Sequence, residues 1–203
     1  MDVSVATIAL IVFSPVMLAT AMGIKLTSPG PIFADIPKRS GKSGNLFRLY
    51  KFRSMIPNAY IRIRTDPKLR KLLQEYQKAG YKLHDDPRVT PIGKFIRKYS
   101  IDEIPQFLNV LKGEMSVIGP RPYYPEELKT QQIKYPGTRA FVKEALTVKP
   151  GITGFWQVSG RSDVNFDKRI EMDALYAKQK SLFVDIKILL LTPWAMLSGK
   201  GAV

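Results

Sequence analysis

Charged and apolar positions are distributed unevenly along this chain. Val3 to Ile24 carries no charged residue, and at about 1.5 Å per residue a helix of that length nearly covers a hydrocarbon core of about 30 Å. The start, Met1-Asp2, and the following "LTSPGP" lack the basic n-region and small-residue cleavage site of a secretory signal. The segment is therefore read as membrane-resident. In its middle, "ALIVFSPVMLAT" sets Ser14 before Pro15. Pro15 removes one backbone hydrogen bond and pushes the preceding turn open, and Ser14 can bond back to a carbonyl and deepen the bend. The two arms, Val3–Phe13 and Val16–Ile24, are each too short to cross the bilayer. A single-pass helix with a mild kink is the alternative.

Beyond Lys25 the pattern shortens. Pro29 and Pro31 stop the helix, and "SGKSGN" reads as a turn between short extended runs. The second run, "LFRLYKFRSM" at 46–55, alternates with period two. Lys51 and Arg53 then share one face, spaced to embrace a single anionic group, or simply to be solvated. Three helices follow. Asp66-Pro67 opens the first, with Leu69, Leu72, Leu73 and Tyr76 as its stripe and Gly80 as its end. Thr90-Pro91 opens the second, with Ile92, Phe95, Ile96 and Tyr99 expected inward. Ile104, Phe107, Leu108 and Leu111 mark the third, which Gly113 ends.

Pro105 is comfortable only in a first helical turn, so the third helix is expected to start at Asp102 or Glu103. One long helix from Pro91, kinked at Pro105, is the alternative. Downstream lie "GEMSVIGPRP", with Arg121 between two prolines, and "VKPGITGFWQVSGRSD", with Trp156, Gln157 and Arg161. The glycines of the latter match neither a dinucleotide nor a P-loop fingerprint. A helix is expected around 166–180. The charge-free stretch Ile188–Gly199 is too short to span, and suits a buried or an interfacial helix equally.

Composition narrows the chemistry. Lys and Arg number 32 against 17 Asp and Glu, a net charge of +15. That implies an anionic partner: nucleic acid, acidic membrane lipid or a phosphorylated substrate. The absence of cysteine excludes disulfides and thiolate chemistry, and the single histidine, His84, lies in the polar stretch "KLHDDPR". Against that basic background the adjacent carboxylates Asp102 and Glu103 stand out. Acidic residues in a first turn are common stabilisers, worth about 0.3–1 kcal/mol each. Among Lys51, Arg53, Arg97, Arg121 and Arg161, however, a carboxylate is expected to have a depressed pKa and stay ionised, as a nucleophile or a metal ligand. With no Cys, Mg²⁺ is the natural metal, since it takes one or two carboxylates plus substrate phosphates.

The motifs "KLTSPGP", "YKFRSM", "RKYSIDEIPQFLNVLKGEMSVIGPRP" and "VKPGITGFWQVSGR" occur in the order of the bacterial sugar transferase family, the monotopic polyprenol-phosphate phosphoglycosyl transferases. The chain resembles that family from about residue 3 to its end. Its start departs from the pattern, because members commonly carry basic residues before the membrane segment, and larger members have further N-terminal domains. The resemblance implies a mixed, predominantly α fold with a small β-hairpin. A re-entrant membrane helix (1–25, broken at Ser14 and Pro15) would join a cytoplasmic catalytic domain (26–203) with interfacial amphipathic helices, at the bacterial inner membrane.

It implies a UDP-sugar and undecaprenyl phosphate as substrates, with UMP as a product, at the start of surface-glycan or exopolysaccharide assembly. Asp102 would attack the sugar-bearing phosphorus and form a covalent phosphosugar. Glu103 would hold Mg²⁺, and Lys51, Arg53, Arg97, Arg121, Gln157 and Arg161 would bind substrate. Anionic lipids are expected as further partners, nucleic acid is not, and a homodimer is compatible with the sequence. Competing readings are a membrane-tethered nucleic-acid-binding module, a non-catalytic scaffold on anionic lipid, and a phosphohydrolase using water as acceptor.

Overall fold

The computed structural model describes residues 1–78, 83, 85–159 and 164–197. Gly80, His84 and Arg161 lie outside the described residues. The apolar N-terminal segment is two helices, α1 (Asp2–Val12) and α2 (Ser14–Thr27), bent by 59°. Pro15 sits in the first turn of α2 and has no N–H for the Ile11 carbonyl. The Ser14 hydroxyl donates to that same carbonyl at 2.8 Å, so the break leaves no orphan acceptor there. No single helix among the described residues is long and apolar enough to cross a membrane.

Both ends of this pair are tied to the rest of the protein. The Asp2 carboxylate accepts hydrogen bonds from Ser116 Oγ (2.9 Å) and Val117 N (3.1 Å). Past α2, the Arg53 guanidinium donates to Ser28 Oγ (2.6 Å), Ser28 O (3.0 Å) and Pro31 O (2.5 Å). Ala6, fully buried, joins the main core with Phe47, Leu49 and Ile118.

The expected hairpin is present: β1 (Arg39–Ser40) pairs antiparallel with β2 (Leu46–Phe47), Arg39 opposite Phe47. Regular strand ends there, and only isolated bridges at Phe52 (to Phe33) and Met55 (to Val89) continue it. Period-two alternation therefore fails as a guide beyond Leu49. Next come α3 (Ala59–Thr65), a short 3-10 turn at Pro67–Leu69 and α4 (Arg70–Lys78). Asp66 caps the turn through Lys68 N (2.9 Å), and Thr90 caps α5 (Pro91–Lys98) through Gly93 N (3.0 Å). On α5, Ile96 is buried, but Phe95 and Tyr99, expected inward, are exposed and pack edge-to-face on each other.

Ser100, in the left-handed region at φ 55°, separates α5 from the next helical segment. That segment is a 3-10 helix from Ile101 to Gln106 with Pro105 inside it, and α6 is Phe107–Leu111. The acidic pair thus lies in a separate short helix that begins one residue before Asp102, and the single kinked helix is excluded. A second, parallel pair comes next that the sequence does not announce: β3 (Ser116–Ile118) against β4 (Gly151–Thr153). Between them run α7 (Pro125–Lys134), a 3-10 turn at Pro136–Thr138 and α8 (Arg139–Ala145). The chain finishes with α9 (Phe155–Ser159), α10 (Phe166–Gln179) and α11 (Leu182–Leu197). In the last apolar stretch Ile188 is buried in the main core, as the buried-helix expectation has it, while Leu190 and Trp194 (77% exposed) face outward, as do Leu182 and Phe183 earlier on the same helix.

Candidate active site

The short helix 101–106 places Asp102 by burying Ile104 and Pro105 beside it. The extended segment 48–53 is fastened against it at two points. Asn109, fully buried on α6, accepts from Tyr50 N (2.9 Å) and donates to Arg48 O (2.7 Å), while Phe52 N donates to Asp102 O (2.9 Å). Lys51 lies between these anchors. Its Nζ is 2.9 Å from Asp102 Oδ2 and 3.1 Å from Glu103 Oε1. Asp102 is 2% exposed, Lys51 21% and Glu103 37%, so the first carboxylate is a floor and the second a rim.

Burial dominates the electrostatics of Asp102. It pushes the carboxyl above the ordinary range, against the opposing pull of Lys51. The expected depression is therefore overturned: the cations are present, but removal from water outweighs them. Burial also works against the charge of Lys51, yet Asp102 and Glu103 more than offset it and raise its pKa. A desolvated carboxylate held beside one fixed ammonium is a stronger nucleophile, once ionised, than a fully solvated one.

Above Asp102 opens a cleft of about 480 Å³. Lys51, Arg97, Asp102, Glu103, Arg121 and Gln157 all line it, so six of the sequence-predicted residues converge. Arg53 does not; its guanidinium is spent on Ser28 and Pro31, and the shared face with Lys51 does not exist. Arg161 lies outside the described residues. Apolar side chains line it as well, among them Val5, Phe13 and Val16 from the bent helix pair and Leu189 from α11.

Two glycine-rich motifs meet to aim Arg121 and Gln157. A Cβ on Gly151 would sit 2.1 Å from Gly119 N, and one on Gly154 would sit 2.2 Å from Gly119 O. Only glycine lets the two loops touch there. Arg121, between Pro120 and Pro122, then lies with Cζ 5.6 Å from the Trp156 ring. Its backbone N–H donates to Asp173 Oδ2 (3.3 Å), which also accepts from Tyr123 Oη (2.8 Å). Asp173 is fully buried, and burial pushes its carboxyl up to about 7. Arg169 lies on the same side, ion-paired with buried Glu127 (3.3 Å) and 5.4 Å from Trp156. Asp173, Asn109 and Arg39 are functional or supporting residues that sequence reasoning misses. Arg39, in the basic run "PKRSGK", lines the cleft as well.

The donor set fits Mg²⁺ in a restricted way. No cluster of three acidic or imidazole ligands occurs among the described residues. Glu103, partly exposed on the cleft wall, fits the single-carboxylate mode in which substrate phosphates and water complete the shell.

A buried carboxylate, a paired lysine, three arginines and apolar side chains thus line one cleft. The chain belongs to the bacterial sugar transferase family, whose sequence pattern matches residues 1–199. It is 43% identical over 205 residues to "Galactosyl transferase CpsE" of Streptococcus agalactiae serotype III, covering 100% of this chain and 42% of that protein. It is 42% identical over 207 residues to "Undecaprenyl-phosphate galactose phosphotransferase" of Salmonella typhimurium (99% and 40%). "Exopolysaccharide production protein ExoY" of Rhizobium meliloti is 38% identical over 207 residues (99% and 85%). The chain thus spans about two fifths of the length of the first two relatives.

Proposed function

We propose that this chain transfers a sugar-1-phosphate from a UDP-sugar to undecaprenyl phosphate and releases UMP, through a phosphosugar carried on Asp102. The observation that carries the reading is the buried Asp102 carboxylate in a cleft lined by cationic and apolar side chains. Names among the relatives, such as undecaprenyl-phosphate galactose phosphotransferase, support the donor and acceptor classes. Lys51 holds Asp102 in place, while Arg97 and Arg121 take phosphate oxygens of the donor. Glu103 would hold Mg²⁺, which neutralises diphosphate charge when bound. The lipid phosphate then attacks the phosphorus on Asp102 and frees the carboxylate. Water is kept from that intermediate by the depth of Asp102.

The apolar lining is the acceptor's side. We assign α1 and α2 as a re-entrant hairpin in the inner membrane, with residues 26–203 as the cytoplasmic catalytic domain. Asp2 bonded to Ser116 and Val117, and Ser28 bonded to Arg53, hold both ends of the hairpin on one body. That supports entry and exit through one leaflet. The exposed Phe95, Tyr99, Leu190 and Trp194 suit an interfacial belt, and the +15 charge suits anionic lipid.

UMP release across a panel of UDP-sugars, with undecaprenyl phosphate and Mg²⁺, tests the reaction. Release that requires the lipid acceptor for turnover supports it. Steady turnover without acceptor would make the protein a phosphohydrolase, and salt-sensitive nucleic-acid binding without turnover would favour the binding-module reading.

A further inference from the structure

Arg39, at the start of β1, is 7% exposed. Its Nη1 donates to Pro122 O (3.2 Å), and its Cζ lies 3.3 Å from the centre of the Tyr124 ring. Ser40 N donates to Tyr123 O (2.9 Å), so β1 and the segment after Arg121 are fastened together. Other buried arginines have their partners: Arg88 pairs with Asp86 (2.6 Å) and Arg169 with Glu127 (3.3 Å), while Arg53 donates to three neutral oxygens. Among the described residues no carboxylate ion-pairs with Arg39, and its Nε has no hydrogen-bond partner. Arg121 Nε is likewise without a partner, and both side chains line the cleft that ends on Asp102. Arg39 and Arg121 repel each other, and the pull of Glu127 does not offset the burial of Arg39, a deficit that a bound anion would make good.

We propose that Arg39 and Arg121 together form the subsite for the nucleotide-side phosphate of the donor, the group that departs, apart from Lys51 at the attacking carboxylate. The assignment rests on Asp102 as the nucleophile. In that step an Asp102 carboxylate oxygen forms a bond to the sugar-bearing phosphorus as the bond from that phosphorus to the bridging oxygen breaks. The electron pair stays on the bridging oxygen, which becomes a terminal oxygen of the departing nucleoside monophosphate; no proton moves. The charge that develops there meets two guanidinium forks, Arg39 held over the Tyr124 ring and Arg121 beside the Trp156 ring.

The test is titration of the full chain, in detergent micelles, with UMP, reading affinity and thermal midpoint for wild type, Arg39→Gln and Arg39→Lys. The expected result is at least tenfold weaker UMP binding in Arg39→Gln. Its nucleotide-free midpoint should equal or exceed that of wild type, because an uncompensated buried charge is gone. Arg39→Lys keeps the charge but not the fork, and should recover only part of the affinity with its midpoint unchanged. Unchanged UMP affinity in both variants, or a loss matched by a fall in the nucleotide-free midpoint, overturns the subsite and leaves Arg39 a strut for Pro122. A wild type that neither binds UMP nor releases it from any UDP-sugar overturns the proposed function along with it.

Discussion

Asp173→Asn is a substitution whose sign is counter-intuitive. The carboxyl is fully buried, accepts from Tyr123 Oη and Arg121 N, and its Oδ1 has no hydrogen-bond partner. Arg169 and Arg121 are the cations that face it, and Tyr123 is the other titratable neighbour. Burial holds its pKa at about 7 in the folded protein, against about 3.9 in an unfolded chain. Between those two values the folded state keeps a proton that the unfolded state has released. Stability therefore falls as pH rises, by about 1.4 kcal/mol per unit, and levels off above about pH 7. The full span is about 4 kcal/mol. Asparagine keeps an acceptor for Tyr123 and Arg121 but cannot ionise. The variant should match wild type near pH 3, below both values, and exceed it by up to about 4 kcal/mol at pH 8. The assay is chemical denaturation of detergent-solubilised protein at a series of pH values. Parallel curves for the two proteins across that range would refute the argument.

Further substitutions separate structural from catalytic roles. Arg53→Ala removes three charge-assisted hydrogen bonds, each worth about 1.5–3 kcal/mol. It should lower the unfolding midpoint steeply while leaving the donor KM of the surviving folded fraction unchanged. Ser100→Val puts a β-branched residue at φ 55° and should cost about 1–2 kcal/mol, with kcat falling because helix 101–106 shifts; a normal kcat would show that the left-handed turn is incidental. Arg121→Lys should not restore turnover lost in Arg121→Ala, since an ammonium cannot reproduce a bidentate contact; full rescue would make Arg121 a point charge. For topology, Ser4→Cys and Gly137→Cys in this cysteine-free chain should both escape a membrane-impermeant thiol reagent on intact spheroplasts and react after lysis. Labelling of Ser4→Cys alone from outside would contradict the re-entrant hairpin.

Features written in neighbouring residues were legible in the sequence. Pro15 with Ser14 and the Asp66 and Thr90 caps depend on contacts within a few positions, and each occurs as expected. Lys51 and Arg53 show where that reasoning ends. Their spacing says one strand face, but Asp102 claims the first and Ser28 the second, and those contacts belong to other segments. The pKa of Asp102 went the other way because neighbouring charges can be counted in a sequence whereas depth of burial cannot. Arg39 and Asp173 gave no local sign, since their partners lie 83 and 50 positions away. Phe95 and Tyr99 kept the helical period but face outward, because period places residues on one stripe without saying what covers that stripe.

The most direct test of the account is the intact mass of the protein after incubation with a UDP-sugar alone, without lipid acceptor, followed by peptide mapping. Wild type should gain the mass of one phosphosugar on the peptide containing Asp102, release one equivalent of UMP, and lose the adduct when undecaprenyl phosphate is added. Asp102→Asn should stay unmodified and turn over orders of magnitude more slowly while remaining folded. An unmodified wild type that releases UMP only when the acceptor is present, or an Asp102→Asn variant with normal turnover, would contradict the covalent route.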